Sequence, residues 1–369
     1  MRYYIIAGEA SGDLHGSNLI TQLHRLDSAA DVRCWGGERM EAAGALVVKH
    51  YRDLAFMGFV EILANLRTIL GNLSFCKRDI ERYAPDVVVL IDYPGFNMRI
   101  ASWAHQQGYR VVYYISPQVW AWKESRVRRI KQSVDKMLVI LPFEKPFYTR
   151  WGYEVDYVGH PLVEVVSRAK KLGSGVPLAP GRIIALLPGS RRQEVLEKLP
   201  VMLEMTKFFP DYTFVVGRGP HLDETMLKEL LRDYPQVLVV EGRTYDLLQQ
   251  AYAALVTSGT ATLETALFGV PQVVCYKGNP ISYQLAKRLI RVKYISLVNL
   301  IMDREVVKEL IQHEMNPGNL RIELEKILSG AVRARMQADY AELWNILDEG
   351  DASRRAAERI VAFVSESGT

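Results

Sequence analysis

The stretch "AYAALVTSGTATLETALFGVP", residues 251–271, divides into three parts: an apolar run, a turn of small and hydroxyl-bearing residues, and an apolar segment stopped by Gly269 and Pro271. The first part has the length and composition of a buried strand, and the last spaces its apolar residues as a helix does. A strand passing through a tight turn into a helix is half of a βαβ unit. Such a turn aims backbone N–H groups and the positive end of a helix dipole at one point, which suits a phosphate. Glu264 does not suit a phosphate. A capping box would need Ser or Thr at position 261, where alanine stands. Thr260 and Glu264 share a helix face one turn apart, so the carboxylate is placed to accept hydrogen bonds from two vicinal ribose hydroxyls. Ser258, Gly259, Thr260, Thr262 and Glu264 together read as a nucleoside-diphosphate site.

The same order recurs in both directions. Apolar runs alternate with amphipathic stretches from "YYIIAG" through "DVVVLIDYPG" and "RVVYYIS" to "RIIALLPGS", "YTFVVG" and "PQVVCY", eleven strand candidates in all. That alternation predicts parallel sheets covered by helices on both faces, and eleven strands are too many for one ordinary sheet. The Gly/Pro-rich "LGSGVPLAPG" is the linker candidate, which divides the chain into Rossmann-like domains at 1–168 and 169–345. A final helical segment, 346–369, with Asp351 or Ser353 as its N-cap, is expected to pack back on the first domain. Ligands of open parallel sheets bind beyond the carboxyl ends of the strands, so the two domains are expected to face each other across a cleft.

Composition bounds the function. The 369 residues are 49% hydrophobic and 24% charged, as in a globular protein with well-filled cores. No apolar run approaches the ~20 residues of a membrane span. No secretory leader precedes the first strand, so a cytoplasmic location is expected. The three cysteines lie far apart without metal-ligand spacing, and a net charge of +4 is too small to argue for nucleic acid. There is no D-x-D pair to hold a metal-bridged diphosphate, so neither metal nor other cofactor is expected.

Four further stretches carry chemistry. "AGEASGDLHG" spaces glycines neither as a dinucleotide fingerprint nor as a P-loop. It reads either as a tight turn with a helix capped by Ser11 or Asp13, or as a ligand-contacting loop of Ser11, Gly12, Asp13 and His15. "DVVVLIDYPGFN" delivers Asp92 to the end of a doubly buried strand, where the carboxylate is a candidate general base or a local cap; Asn97 fits the capping duty better, and His15 is a second candidate base. "LPGSRRQE" sets Gly189, Ser190 and Arg191 at a helix start, where arginine opposes the dipole unless an anion is bound. "SPQVWAWKESRVRRIK" combines Trp120 and Trp122 with Arg126, Arg128 and Arg129, a solvated basic helix or a face toward an anionic membrane. The stripe beginning "AFMGFVEIL" adds Phe56, Met57 and Phe59 as candidate cover for something greasy, core packing being the alternative.

Taken in order, "AGEASGDLHG", "GGERMEAAG", "MGFVEIL", "IDYPGFN", "SPQVWAWKESRVRRI", "VGHPL", "LPGSRRQE", "TSGTATLETAL" and "SLVNLIMDREVVKELIQ" resemble the lipid A disaccharide synthases, GT-B glycosyltransferases, over most of the chain. The resemblance implies inverting transfer of 2,3-diacylglucosamine from UDP-2,3-diacylglucosamine to the 6-hydroxyl of 2,3-diacylglucosamine 1-phosphate. It implies Asp92 as base, and Arg191, Glu264, Asn299 and Gln312 about the donor nucleotide. Peripheral attachment to the inner face of the inner membrane, and homodimers formed by exchange of C-terminal segments, are implied as well. Gly95 stands where many relatives have Asp, Val298 where Pro is common and Tyr113 where His is frequent. A nucleotide-sugar or anionic-lipid binding protein without turnover is the rival reading, which Asp92 disfavours.

Overall fold

The computed structural model describes residues 1–54, 66–122, 124–219, 222–279, 283, 292–348 and 350–366. Phe56, Met57 and Phe59 lie outside the described residues, as does Lys123. The chain forms two compact units, one of Met1–Pro161 with Glu349–Thr369 and the other of Leu162–Asp348.

In the first unit seven parallel strands run β1 (Arg2–Ala7), β2 (Asp31–Gly36), β3 (Leu46–His50), β4 (Val87–Ile91), β5 (Val111–Tyr114), β6 (Lys136–Val139) and β7 (Asp156–Tyr157). Their spatial order is β3-β2-β1-β4-β5-β6-β7, with Tyr3 opposite Val87 and Ala7 opposite Ile91. Helices cover both faces, so β1 from Tyr3 to Ala7 and β4 throughout are buried, which is why these strands read as unbroken apolar runs. The order reverses between β1 and β4, and the turns after these two strands, at Gly8 and at Asp92, open at that switch point.

The second unit repeats the plan with six parallel strands: β8 (Arg182–Leu187), β9 (Tyr212–Arg218), β10 (Leu238–Glu241), β11 (Ala251–Thr257), β12 (Gln272–Tyr276) and β13 (Lys308–Ile311). Their order, β10-β9-β8-β11-β12-β13, is that of a dinucleotide-binding half-pair, with its switch point between β8 and β11. Ile184, Leu186, Leu255 and Val273 form the centre of one core beside Leu199, Met202, Leu263 and Tyr340 of the covering helices.

Two boundaries differ from the sequence expectation. The passage into the second unit falls at Pro161–Leu162, because Leu162, Val163 and Val166 of the helix Pro161–Leu172 are buried in the second core; the Gly/Pro-rich stretch lies wholly inside that unit. The return falls after Asp348, the helix Gly330–Leu347 burying Met336, Tyr340, Leu343 and Leu347 in the same core. The last helix, Ala352–Ser365, is capped by Asp351, whose Oδ1 accepts from the Arg354 amide at 3.0 Å. It packs on the helix Ala10–Leu26, where Gln22 donates to Asp351 Oδ2 at 3.3 Å. No helix among the described residues is long and apolar enough to cross a membrane.

Candidate functional site

The turns after β8 and β11 line one cavity of about 380 Å³ in the second unit. Gly189 and Gly259 hold φ of +120° and +138°, conformations a side chain rarely adopts, and each lets its turn fold back before the next helix begins. The helix Thr260–Leu267 starts directly at Gly259, and the helix Arg192–Leu203 starts at Arg191, so two helix N-termini open on the same space. Ser190, Ser258, Thr260 and Glu264 line it too. Arg191 is exposed and pairs with Glu194 at 3.3 Å, an i,i+3 surface pair worth little. The Glu264 carboxyl is raised above the ordinary range by burial, while the Tyr245 hydroxyl donates to its Oε1 at 2.7 Å.

Three residues assigned to this site by sequence do not reach it. Thr262 is fully buried, and its hydroxyl donates back to the Gly259 carbonyl at 2.8 Å. Asn299 is also fully buried and has spent its whole hydrogen-bonding capacity: its Nδ2 donates to Val307 O and Glu309 Oε1, and its Oδ1 accepts from the amides of Val306 and Val307. It organises the loop before β13. Gln312 clamps the Gly278 backbone, donating to its carbonyl at 3.1 Å and accepting from its amide at 3.2 Å. Conversely, sequence reasoning passed over Lys198, 2% exposed, whose Nζ donates to Thr257 Oγ1 at 2.5 Å behind the cavity wall and whose pKa burial lowers. It also missed Thr244 and Tyr245, and the Gly217/Gly219 pair ending β9, a strand-to-turn glycine spacing that offered a signal.

In the first unit, Asp92 follows β4 with φ +45° and Tyr93 follows it with φ +48°, two successive non-glycine residues in the left-handed region. Each costs on the order of 1–3 kcal/mol and persists only where the surroundings enforce it. Here the Asp92 carbonyl accepts from Tyr113 Oη at 2.6 Å and from Asn97 Nδ2 at 2.8 Å. The helix that follows, Pro94–Gln106, is therefore entered at Tyr93, and Asn97 is a buried clamp inside its first turn, not its cap. Burial first, and the charge of Glu9 second, push the Asp92 carboxyl up to about 6.

The neighbouring turn corrects several expectations. The helix Ala10–Leu26 begins after Glu9, so neither Ser11 nor Asp13 is its cap. Asp13 is 2% exposed, and its carboxylate accepts from the amides of Gly37, Arg39 and Met40, which start the helix Glu38–Ala42, so it serves the backbone of that helix. Gly12 is buried against Ala7, where an added Cβ would come within 3.0 Å of the Ala7 Cβ, so its smallness serves packing. His15 is buried, and burial lowers its pKa to about 4, leaving it a far weaker base than Asp92. Ser11 alone of the four stays exposed.

Trp120 is not a surface residue: it is buried, and its indole N–H donates at 3.2 Å to the buried Glu144, which burial raises to about 7. Trp122 is exposed, with the Arg126 guanidinium 4.8 Å over its ring, and Arg128 lies over Trp151. Arg129 is exposed as well.

The family profile described as lipid-A-disaccharide synthetase matches residues 3–363. Two relatives named lipid-A-disaccharide synthase, from Geobacter metallireducens and Syntrophus aciditrophicus, are 40% and 39% identical, over 99% and 98% of this chain and 98% of each relative. Among solved structures, a UDP-GlcNAc 2-epimerase from Neisseria meningitidis bound to UDP-GlcNAc aligns with a TM-score of 0.70 at 14% identity, over 98% of this chain and 100% of that one. The kitacinnamycin glycosyltransferase aligns at 0.67 and 18%, over 98% of both chains. These distant likenesses show the two-domain GT-B fold, and the sequence matches show the rest: the chain belongs to the lipid-A-disaccharide synthase family of glycosyltransferases.

Proposed function

We propose that the protein transfers 2,3-diacylglucosamine from UDP-2,3-diacylglucosamine to the 6-hydroxyl of 2,3-diacylglucosamine 1-phosphate, with inversion and release of UDP. Asp92 takes the hydroxyl proton as the acceptor oxygen attacks the anomeric carbon. Arg191 and the amides of the turn at 258–260 receive the charge that develops on the departing diphosphate, and Glu264 holds the ribose. The observation that carries this reading is the Asp92 turn: a carboxylate carried at a switch point on strained backbone that is doubly clamped through its main-chain carbonyl, with its pKa brought to about 6, is partly protected from water yet ionised at neutral pH. Fixed donors aimed at developing charge are worth about 2.7–4 kcal/mol each, against ~0.3–1 kcal/mol for a helix dipole alone, so Arg191 outweighs the turn dipoles.

The exposed Trp122 and Arg128, whose guanidinium lies over Trp151, support peripheral contact with anionic lipid at the inner face of the inner membrane. The helix Ala352–Ser365 is the segment that exchange between two copies would move, which makes a homodimer part of the same proposal. Incubating the purified protein with both lipids tests the reaction. A β-linked disaccharide 1-phosphate and one UDP per product are expected. Donor hydrolysis without disaccharide, or an α linkage, overturns it.

A further inference from the structure

A second cavity, of about 180 Å³, lies wholly in the first unit and is not used by the mechanism above. Met98, Val119 and Ile130 form its apolar part, the last two buried. Arg99, Arg126 and Arg129 line it from three separate elements, and all three are exposed. Their only polar partners among the described residues are neutral: Arg99 donates to Gly95 O at 2.8 Å and Arg129 to Ser102 Oγ at 3.3 Å, while Arg126 rests on the Trp122 ring. Three guanidiniums around one cavity, with no carboxylate among its described lining residues, form a site of positive potential, which an anion with several acceptor oxygens satisfies. Pro94 and Gly95, in the first turn of the helix Pro94–Gln106, complete the wall and add the positive end of a helix dipole.

We infer that this cavity is the subsite for the phosphate of the acceptor, the three arginines gripping a phosphomonoester while the apolar wall meets the sugar and the first carbons of an acyl chain. The inference rests on the proposed reaction and deepens it. Its position is the argument for the acceptor over a bulk lipid headgroup: Pro94 stands two residues after Asp92, a chain reach of at most about 7 Å. One pyranose ring separates a 6-hydroxyl from a phosphate on the anomeric carbon, so a single acceptor can present the first to Asp92 and the second to the arginines.

Arg126→Gln is the test variant. Its side chain is exposed and rests on the Trp122 ring, so the change removes one charge from the cavity without opening the core. Arg99→Gln and Arg129→Gln are its companions. Steady-state kinetics are measured with the acceptor carrying its 1-phosphate and with the analogue lacking it. The expected result is a rise of about tenfold or more in acceptor KM with the phosphorylated acceptor, kcat changing little, and no change with the dephosphorylated one. Equal effects on both acceptors, or none on either, overturn the inference. So does loss of binding to phosphatidylglycerol vesicles with the acceptor preference intact, which would give the arginines to the membrane surface. Equilibrium binding of the two acceptors without donor separates this inference from the reaction. A protein that makes no disaccharide yet binds the phosphorylated acceptor more tightly, with Arg126→Gln erasing the preference, would keep the subsite and lose the reaction; no preference in the wild type would remove the subsite whatever the reaction.

Discussion

Tyr113 donates its phenolic hydrogen to the Asp92 carbonyl at 2.6 Å, so a buried residue of β5 fixes the backbone of the candidate base on the adjacent strand. With Asn97 it holds two left-handed residues that would otherwise relax. Tyr113→Phe removes one clamp without changing the ring. A loss of about 1 kcal/mol in unfolding free energy is expected, with a fall in kcat and little change in donor KM. Denaturant titration and steady-state kinetics check it; unaltered kcat would mean that Asn97 alone sets the turn.

Asp92 makes a pH prediction with a definite sign. Its folded pKa, about 6, lies above that of an unfolded aspartate. The carboxyl therefore favours the fold while protonated, a contribution fully present below about 4 and lost as pH rises through about 6. The shift corresponds to on the order of 2–3 kcal/mol. As a base it works only when ionised, so kcat/KM should rise with pH through about 6 and level off above. Asp92→Asn should lower turnover by about 10²–10⁴, leave UDP binding near its wild-type value, and raise unfolding stability at pH 8 more than at pH 5. The last of these distinguishes a destabilised functional carboxylate from a structural one, whose loss would lower stability.

Arg191 separates charge from hydroxyl contributions at the donor. Because it gives up only a weak surface pair to meet the diphosphate, Arg191→Ala should cut kcat/KM by about a hundredfold or more, with little change in melting temperature. Ser190→Ala or Thr260→Val should each cost less than tenfold. Parallel initial-rate measurements decide the ranking, and a hydroxyl loss equal to the arginine loss would shift the leaving-group role to the turn.

The sheets were legible because their central strands are buried on both faces, which writes them as unbroken apolar runs such as "DVVVLI". β7, of two residues, and β13, reading "KELI" at a sheet edge, carry no such run, and the sequence did not reveal them. The Asp92 and Gly259 turns were legible for a related reason: strand ends and helix starts leave strong local signals. What sequence could not separate was a polar residue that faces a ligand from one that serves the backbone. Asp13, Asn299 and Gln312 lie in the right motifs, yet each spends its hydrogen bonds on main chain brought close by the fold. Trp120 misled similarly, because Glu144, which receives its indole N–H, lies 24 residues away.

Lys198 carries the remaining prediction. A buried ammonium is disfavoured, and burial is the leading reason its pKa falls below the ordinary lysine value. Its hydrogen bond to Thr257, itself part of the cavity wall, sets this charge directly behind the place proposed for the diphosphate. A bound dianion would stabilise the protonated form, so UDP binding should take up protons at alkaline pH and weaken as pH rises there. Lys198→Met keeps the stem's volume and removes the charge. It should weaken UDP binding by about tenfold and flatten that pH dependence, while unfolding stability at pH 7 stays level or rises, because a buried charge gives way to an apolar group. Calorimetry in two buffers of different ionisation enthalpy reads the proton uptake directly. If Lys198→Met loses stability and UDP affinity together, with the pH dependence unchanged, the lysine serves packing and the charge argument fails.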